Sequence, residues 1–372
     1  MRLSSRLAIP LGMAAAASLV MFMAGRLAAD SAPADQPMAA GAAPRARAAS
    51  TDGIWIGRAE LAARPTSGTA WTHLLEAAGR PCPWPALGNQ EDPANVCVMA
   101  KALVFARTGT APHRADVLES LRTLMGAGPY RGRALALARE LPAYVIAADL
   151  VELPSADGTL DREFRTWLRM VLRTPTSGGP RTLVQSQEQR PNNWGTHAGA
   201  ARAAAAAYLR DETELARTAS VFKGYLGDRD TYAGFTYGER SWQCDPSHPV
   251  GINPPGCMKN GHSLDGVLPD DQRRSGPFTW PPPKQNYVYE ALQGALAQAI
   301  ILDRAGYDAF AWQERALLRA FEWLHREAAF PAKGDDEWEP HVVNFFYRTR
   351  FPAAVPARPG KNVGWTDWTH GP

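Results

Sequence analysis

The sequence predicts an all-α protein of helical hairpins arranged as a toroid or solenoid. Three observations predict it: apolar residues recur at helical spacing through most of the chain beyond residue 50, alternating strand patterns are nearly absent, and the periodic runs are joined by short polar or Gly/Pro turns.

The first segment stands apart from this pattern. Arg2 and Arg6 precede an apolar stretch from Leu7 to Gly25, followed by Arg26. Residues 1–26 therefore read as an export signal, either cleaved or kept as a membrane anchor. Residues 27–50 are rich in Ala, Pro and Ser and carry almost no bulky apolar side chains, so they read as a disordered linker. The helical domain is expected over residues 51–372. No later segment is apolar for long enough to cross a bilayer, so any membrane contact falls to the N-terminal segment.

Net charge adds little. The chain carries a formal +3, and residues 1–49 alone hold five Arg and two Asp, which accounts for it. The domain is near neutral, which gives no argument for a nucleic-acid partner, and any anion site must be local. The four cysteines fall into two short-range pairs, Cys82 with Cys97 and Cys244 with Cys257. In an exported chain they read as disulfides, each worth roughly 3 kcal/mol, against a rival reading as metal ligands that lacks any CxxC or HExxH spacing.

Helical periodicity then runs through the domain. Asn95–Arg107 places Val96, Met99, Ala100, Leu103 and Val104 on one stripe, and Arg131–Leu150 repeats it with Leu135, Ala138, Leu141, Val145 and Ala148. Further runs cover His113–Met125, Leu160–Leu172, Asn193–Leu209, Glu212–Leu226, Tyr287–Ala305 and Tyr307–Ala329. Between about Gly227 and Lys284 the period is lost and the composition turns to Gly, Pro, Asp, Tyr and Trp. Its aromatics and cysteine pair argue for an ordered loop system over a cleft. The tail from Pro331, with Trp338, His341, Trp365 and Trp368, has the same character.

The segment richest in chemistry is Gln189–Tyr208, QRPNNWGTHAGAARAAAAAY. Pro191 disfavours helix before it, and Asn192 or Asn193 is a good N-cap. Asn193 and His197 share one face of the first turns, where free N–H groups and the helix dipole favour an anion. An amide and an imidazole there suit a carboxylate. The plainer reading is that the asparagines cap the helix and His197 packs.

The NNWGTH run resembles the Asn-Asn-His/Trp signature of the alginate lyase superfamily of polysaccharide lyases, whose catalytic domains are incomplete (α/α) toroids. GHSLDGVLPDDQRRSGPFTW, followed by NYVYEALQGALAQAIIL, is similar to that family's run of DG, acidic and Arg residues, then a Tyr opening a long helix. Trp194 stands where the alginate-specific form has His, which turns the expectation toward glucuronan or another polyuronate.

The resemblance implies β-elimination on an acidic polysaccharide, with no cofactor and no metal. It matches Asn193 to the amide that meets the carboxylate and Tyr287 to the base and acid. His197 and His262 are the candidates for the histidine, and Arg273 and Arg274 for the cation. Asn192, Trp194, Trp242, Trp280 and Tyr289 are the candidates for substrate contact, aromatics being suited to sugar faces. A Tyr with an ordinary pKa of about 10 needs a neighbouring cation to act as a base.

Two other classes remain open from the residues. A glycoside hydrolase would need two carboxylates, for which Glu239, Asp265, Asp270 and Asp271 are available. A non-catalytic glycan-binding envelope protein could use the same scaffold.

Overall fold

The periodic stretches fold as helices. The computed structural model describes residues 53–179 and 181–372, so the export signal and linker read over residues 1–50 lie outside them. The first half comprises α1 (Arg58–Ala63), α2 (Thr69–Gly79), α3 (Ala94–Thr108), α4 (Ala111–Gly126), α5 (Ala134–Leu150), α6 (Leu153–Ala156) and α7 (Gly158–Val171). Then come α8 (Leu183–Gln189), α9 (Asn193–Leu209) and α10 (Glu212–Tyr225). After the irregular segment follow α11 (Pro269–Gln272), α12 (Tyr287–Arg304), α13 (Trp312–Arg326), α14 (Glu339–Tyr347) and α15 (Thr366–Thr369). The all-α expectation holds among the described residues; the one sheet is a two-residue hairpin pairing β1 (Met258–Lys259) with β2 (His262–Ser263).

The core is a row of long helices, α3 against α5, α5 against α9, and α9 against α12. α9 and α12 are buried on nearly every side, as expected of helices apolar all round. Glycines let them approach. A Cβ on Gly199 would stand 2.1 Å from the Gln298 side-chain oxygen, and one on Gly294 would stand 2.3 Å from the His197 backbone nitrogen. Gly294→Ala is therefore expected to force the two helices apart at a cost of about 1–3 kcal/mol. A thermal-unfolding midpoint equal to wild type would show slack in this contact.

The C-terminal tail departs from its reading as loops over a cleft. Trp338, Trp365 and Trp368 are buried, and the tail returns to the beginning of the domain. Trp368 packs on Trp71 at 5.3 Å, and its Nε1 donates to Pro65 O at 2.8 Å. Trp365 Nε1 donates to Val96 O at 2.9 Å. These indoles tie the last helix to the first ones, so their apolar area serves folding.

The 227–286 segment is irregular, as its composition indicates, and is held by internal bonds. Cys244 and Cys257 are joined, with Cα atoms 5.7 Å apart, and Asn253 bonds both Cys244 N and Trp242 O across the same loop. Cys82 and Cys97 form the second disulfide. Two disulfides suit an oxidising compartment. Among the described residues, no helix is long and apolar enough to cross a membrane.

Candidate functional site

The N-terminus of α9 begins as its sequence dictates. Asn192 is the cap, its side-chain oxygen accepting from Trp194 N at 3.1 Å. Its amide nitrogen donates to Asp270 Oδ2 at 2.8 Å, and Asn193 N donates to Asp271 Oδ1 at 3.1 Å. The NNW and DDQRR segments, 78 residues apart, are thereby joined. Asp270 also accepts from Gly238 N at 2.9 Å and from Arg273, whose Nε and Nη2 lie 2.7 and 3.2 Å from its two oxygens.

Inside this saturated junction lie groups that bond to nothing. Both side-chain atoms of Asn193, Asp271 Oδ2 and the Tyr225 hydroxyl are buried without a hydrogen-bond partner. Burial, then the Asp270 carboxylate, pushes Asp271 well above the usual carboxylate range, opposed in part by Asn193 N–H and the two arginines. Burial, with Asp271 and Tyr237 close by, pushes the Tyr225 phenol upward too. Tyr225 therefore keeps its proton near neutral pH, and Asp271 is shifted toward its protonated form.

One turn along α9, His197 is fully buried and neither ring nitrogen makes a hydrogen bond of good geometry. Burial, then the Arg139 guanidinium and the Lys361 ammonium, holds its pKa well below the ordinary range, with the Glu290 backbone acting the other way. The imidazole is neutral. Those two cations belong to a charged network centred on Glu290, which bonds Arg139 and, at 2.7 Å, Lys361. Glu91 joins them at 3.3 Å from Arg139 and 3.1 Å from Lys361, and Asp335 lies 3.3 Å from Lys361. Side-chain exposure falls from 54% at Glu91 through 21% at Lys361 to 3% at Arg139, so the network runs from the surface to the imidazole.

Around it stand carboxyl groups kept neutral. Burial, then Asp92, pushes Glu140 up to about 10, with the Arg139 charge opposing. Burial likewise pushes Asp336 up to about 8 although Gln293 donates to it at 2.8 Å. Among the described residues, no group of three or more His, Cys, Asp or Glu side chains is arranged to hold a metal ion.

The other sequence-named residues lie elsewhere. Tyr287 opens α12 but is 37% exposed, with the Arg274 guanidinium 4.1 Å above its ring. The expected cation is present, yet it meets the π face of the ring. His262, in β2 of the hairpin, stacks face to face on Trp280 at 4.2 Å. Trp242 and Tyr289, expected at the cleft, are fully buried. Trp242 Nε1 donates to Gly276 O at 3.0 Å and the Tyr289 hydroxyl to Phe330 O at 2.6 Å, so both anchor the core. Trp194 is half-buried between Arg133 and Arg190.

Sequence reading missed Tyr225 and the network of Arg139, Glu140, Glu290 and Lys361. A signal existed for three of them: Arg139–Glu140 and Glu290 interrupt long apolar runs in α5 and α12. Comparison with protein-family models and with curated proteins gives no match for this chain.

Proposed function

We propose that this chain is an exported polysaccharide lyase, periplasmic or secreted, that cleaves a uronic-acid-containing polymer by β-elimination on an (α/α) toroid scaffold. The observation that carries the reading is the pair of unpartnered groups on one face of α9, the Asn193 amide and the neutral His197 imidazole. Buried polar atoms without partners are rare in folded proteins and mark places where something else completes the bonding. In the reaction, the Asn193 amide donates to the substrate carboxylate as charge develops on it. His197 takes the C5 proton, the electron pair forms the C4=C5 bond, and the C4–O4 bond breaks. The departing O4 takes a proton from Tyr225, held protonated, or from Asp271, shifted toward its protonated form. Tyr225 fits this role better than the exposed Tyr287. Asn193 and His197 are fully buried, so the reading requires local opening for substrate.

A second reading, glycoside hydrolysis, is favoured by one contrast: Asp270 is bound by Asn192, Gly238 and Arg273 while its neighbour Asp271 is shifted toward the protonated form. One assay separates the readings. With a panel of polyuronates, a lyase generates the ultraviolet absorbance of the unsaturated uronate, and Asn193→Ala is expected to lower that rate about a hundredfold or more. New reducing ends without the chromophore would favour the hydrolase. No product from any polyuronate, with binding retained, would leave a glycan-binding protein.

A further inference from the structure

Where Gly179 meets Trp194 at the start of α9 lies a cavity of about 480 Å³ lined by Gly179, Arg181, Gln185, Gln189, Arg190 and Thr236. That volume is on the scale of small-ligand sites, about 300–1,000 Å³. Its charged lining is entirely cationic. A third guanidinium stands close by, since the Arg133 and Arg190 Cζ atoms lie 6.0 and 5.8 Å from the Trp194 ring centroid. Among the described residues, none of these three arginines has an ion-pair partner, whereas Arg139, Arg202, Arg273 and Arg319 are each bound to carboxylates. Arg133 and Arg190 meet the same ring with no carboxylate recruited to either, and an anion there would gain from both charges.

Backbone bonds fix the chain segments that carry the arginines. Arg133 bridges Ser177, whose N–H donates to Gly132 O at 2.9 Å. Arg181 N donates to Gln185 Oε1 at 3.0 Å, and Thr236 N donates to Gln189 O at 2.9 Å, closing the wall between α8 and the irregular segment. Gly179, at φ +155°, presses against Trp194, where an added Cβ would stand 3.2 Å from the ring. Gln185 and Gln189 are four residues apart on α8, so their amides share a face and supply neutral donors and acceptors beside the charges.

We propose that this cavity is a subsite for one uronate residue of the polymer, its carboxylate taken by the forked donors of Arg181 and Arg190 and its hydroxyls by Gln185 and Gln189. The planar guanidinium matches a carboxylate in two parallel bonds, which an ammonium could not do. That the occupant is a residue of the polymer rests on the lyase reading; the charge preference does not.

The test is binding to the intact exported domain, followed by tryptophan fluorescence and titration calorimetry. The probes are oligoglucuronate, a neutral gluco-oligosaccharide of equal length, and inorganic sulfate. Oligoglucuronate is expected to bind well above the other two, and the Arg181→Ala/Arg190→Ala variant to bind it at least about tenfold more weakly. The variant's thermal midpoint reports that it is folded, and in turnover its KM rises with kcat unchanged. Equal affinity in the double variant, equal binding of the neutral oligomer, or equally tight sulfate binding would each overturn the subsite. Arginine-dependent oligoglucuronate binding with no unsaturated product keeps the subsite and removes the lyase. Unsaturated product with an unchanged KM in the variant does the reverse.

Discussion

Arg139→Ala is expected to destabilise the fold by about 3–5 kcal/mol, the cost of stranding a buried charge. Arg139 and Glu290 have side chains only 3% and 7% exposed and bond one another directly. Without the guanidinium, Glu290 keeps only Lys361, and the buried groups that interact with it, Asp336 and Glu339, are both carboxyls. Desolvation of the carboxylate is then no longer balanced by charge-assisted bonds. Lys361→Met should cost less, because Glu290 would keep Arg139 and the other Lys361 partners, Glu91 and Asp335, are 54% and 31% exposed, so water can replace the ammonium there. The decisive comparison is the double variant Arg139→Met/Glu290→Leu, which removes both charges and is expected to recover most of the loss in denaturant unfolding. A single Arg139→Ala costing under about 1 kcal/mol would show that the network is hydrated rather than desolvated. The same change removes the second-largest influence holding down the His197 pKa, so the imidazole should move toward its ordinary range.

That network also marks the limit of what could be read from the residues. α5, α9 and α12 were legible because apolar side chains repeat at helical spacing, and the α9 start was legible because Asn192 is a capping residue followed by a periodic run. α2 went unread because its burial rests on only Trp71, Leu74 and Ala78 within a short TAWTHLLEAAG segment. Pattern reading tracks apolar faces, so Arg139, Glu140 and Glu290 were absorbed into the helices that carry them. Their meaning lies in partners far along the chain: Lys361 meets Glu290 across 71 residues, and Asp270 meets Asn192 across 78. Local composition holds no trace of either pairing. The aromatic residues failed for a related reason. Trp242 and Trp280 lie in the same irregular segment, yet one is wholly buried and the other half-exposed against His262. Residue type says that an indole wants apolar cover, not whether core or ligand supplies it.

Glu140→Gln is expected to stabilise the protein by an amount that grows with pH. Glu140 is fully buried, neither carboxylate oxygen has a hydrogen-bond partner, and burial with nearby Asp92 pushes it up to about 10. In the unfolded chain the same group titrates near 4.3. The native state therefore keeps a proton that the unfolded state releases above about pH 4.3, so the residue's contribution is fully present below that pH and is lost as pH rises toward 10. Each unit in that window weighs against folding by about 1.4 kcal/mol. Glutamine has the same shape and does not titrate. The stability difference between variant and wild type should then widen by up to about 4 kcal/mol between pH 5 and pH 8, read from denaturant unfolding at each pH. His197 and His370, both held low by burial, lose stability in the opposite direction as pH falls below about 6.5. They are present in both proteins and cancel in the difference. Asp336, pushed up to about 8, adds to the alkaline loss of both proteins and cancels in the same way. A difference that stays flat from pH 5 to pH 8 would mean that Glu140 is ionised in the fold, with Arg139 as its partner.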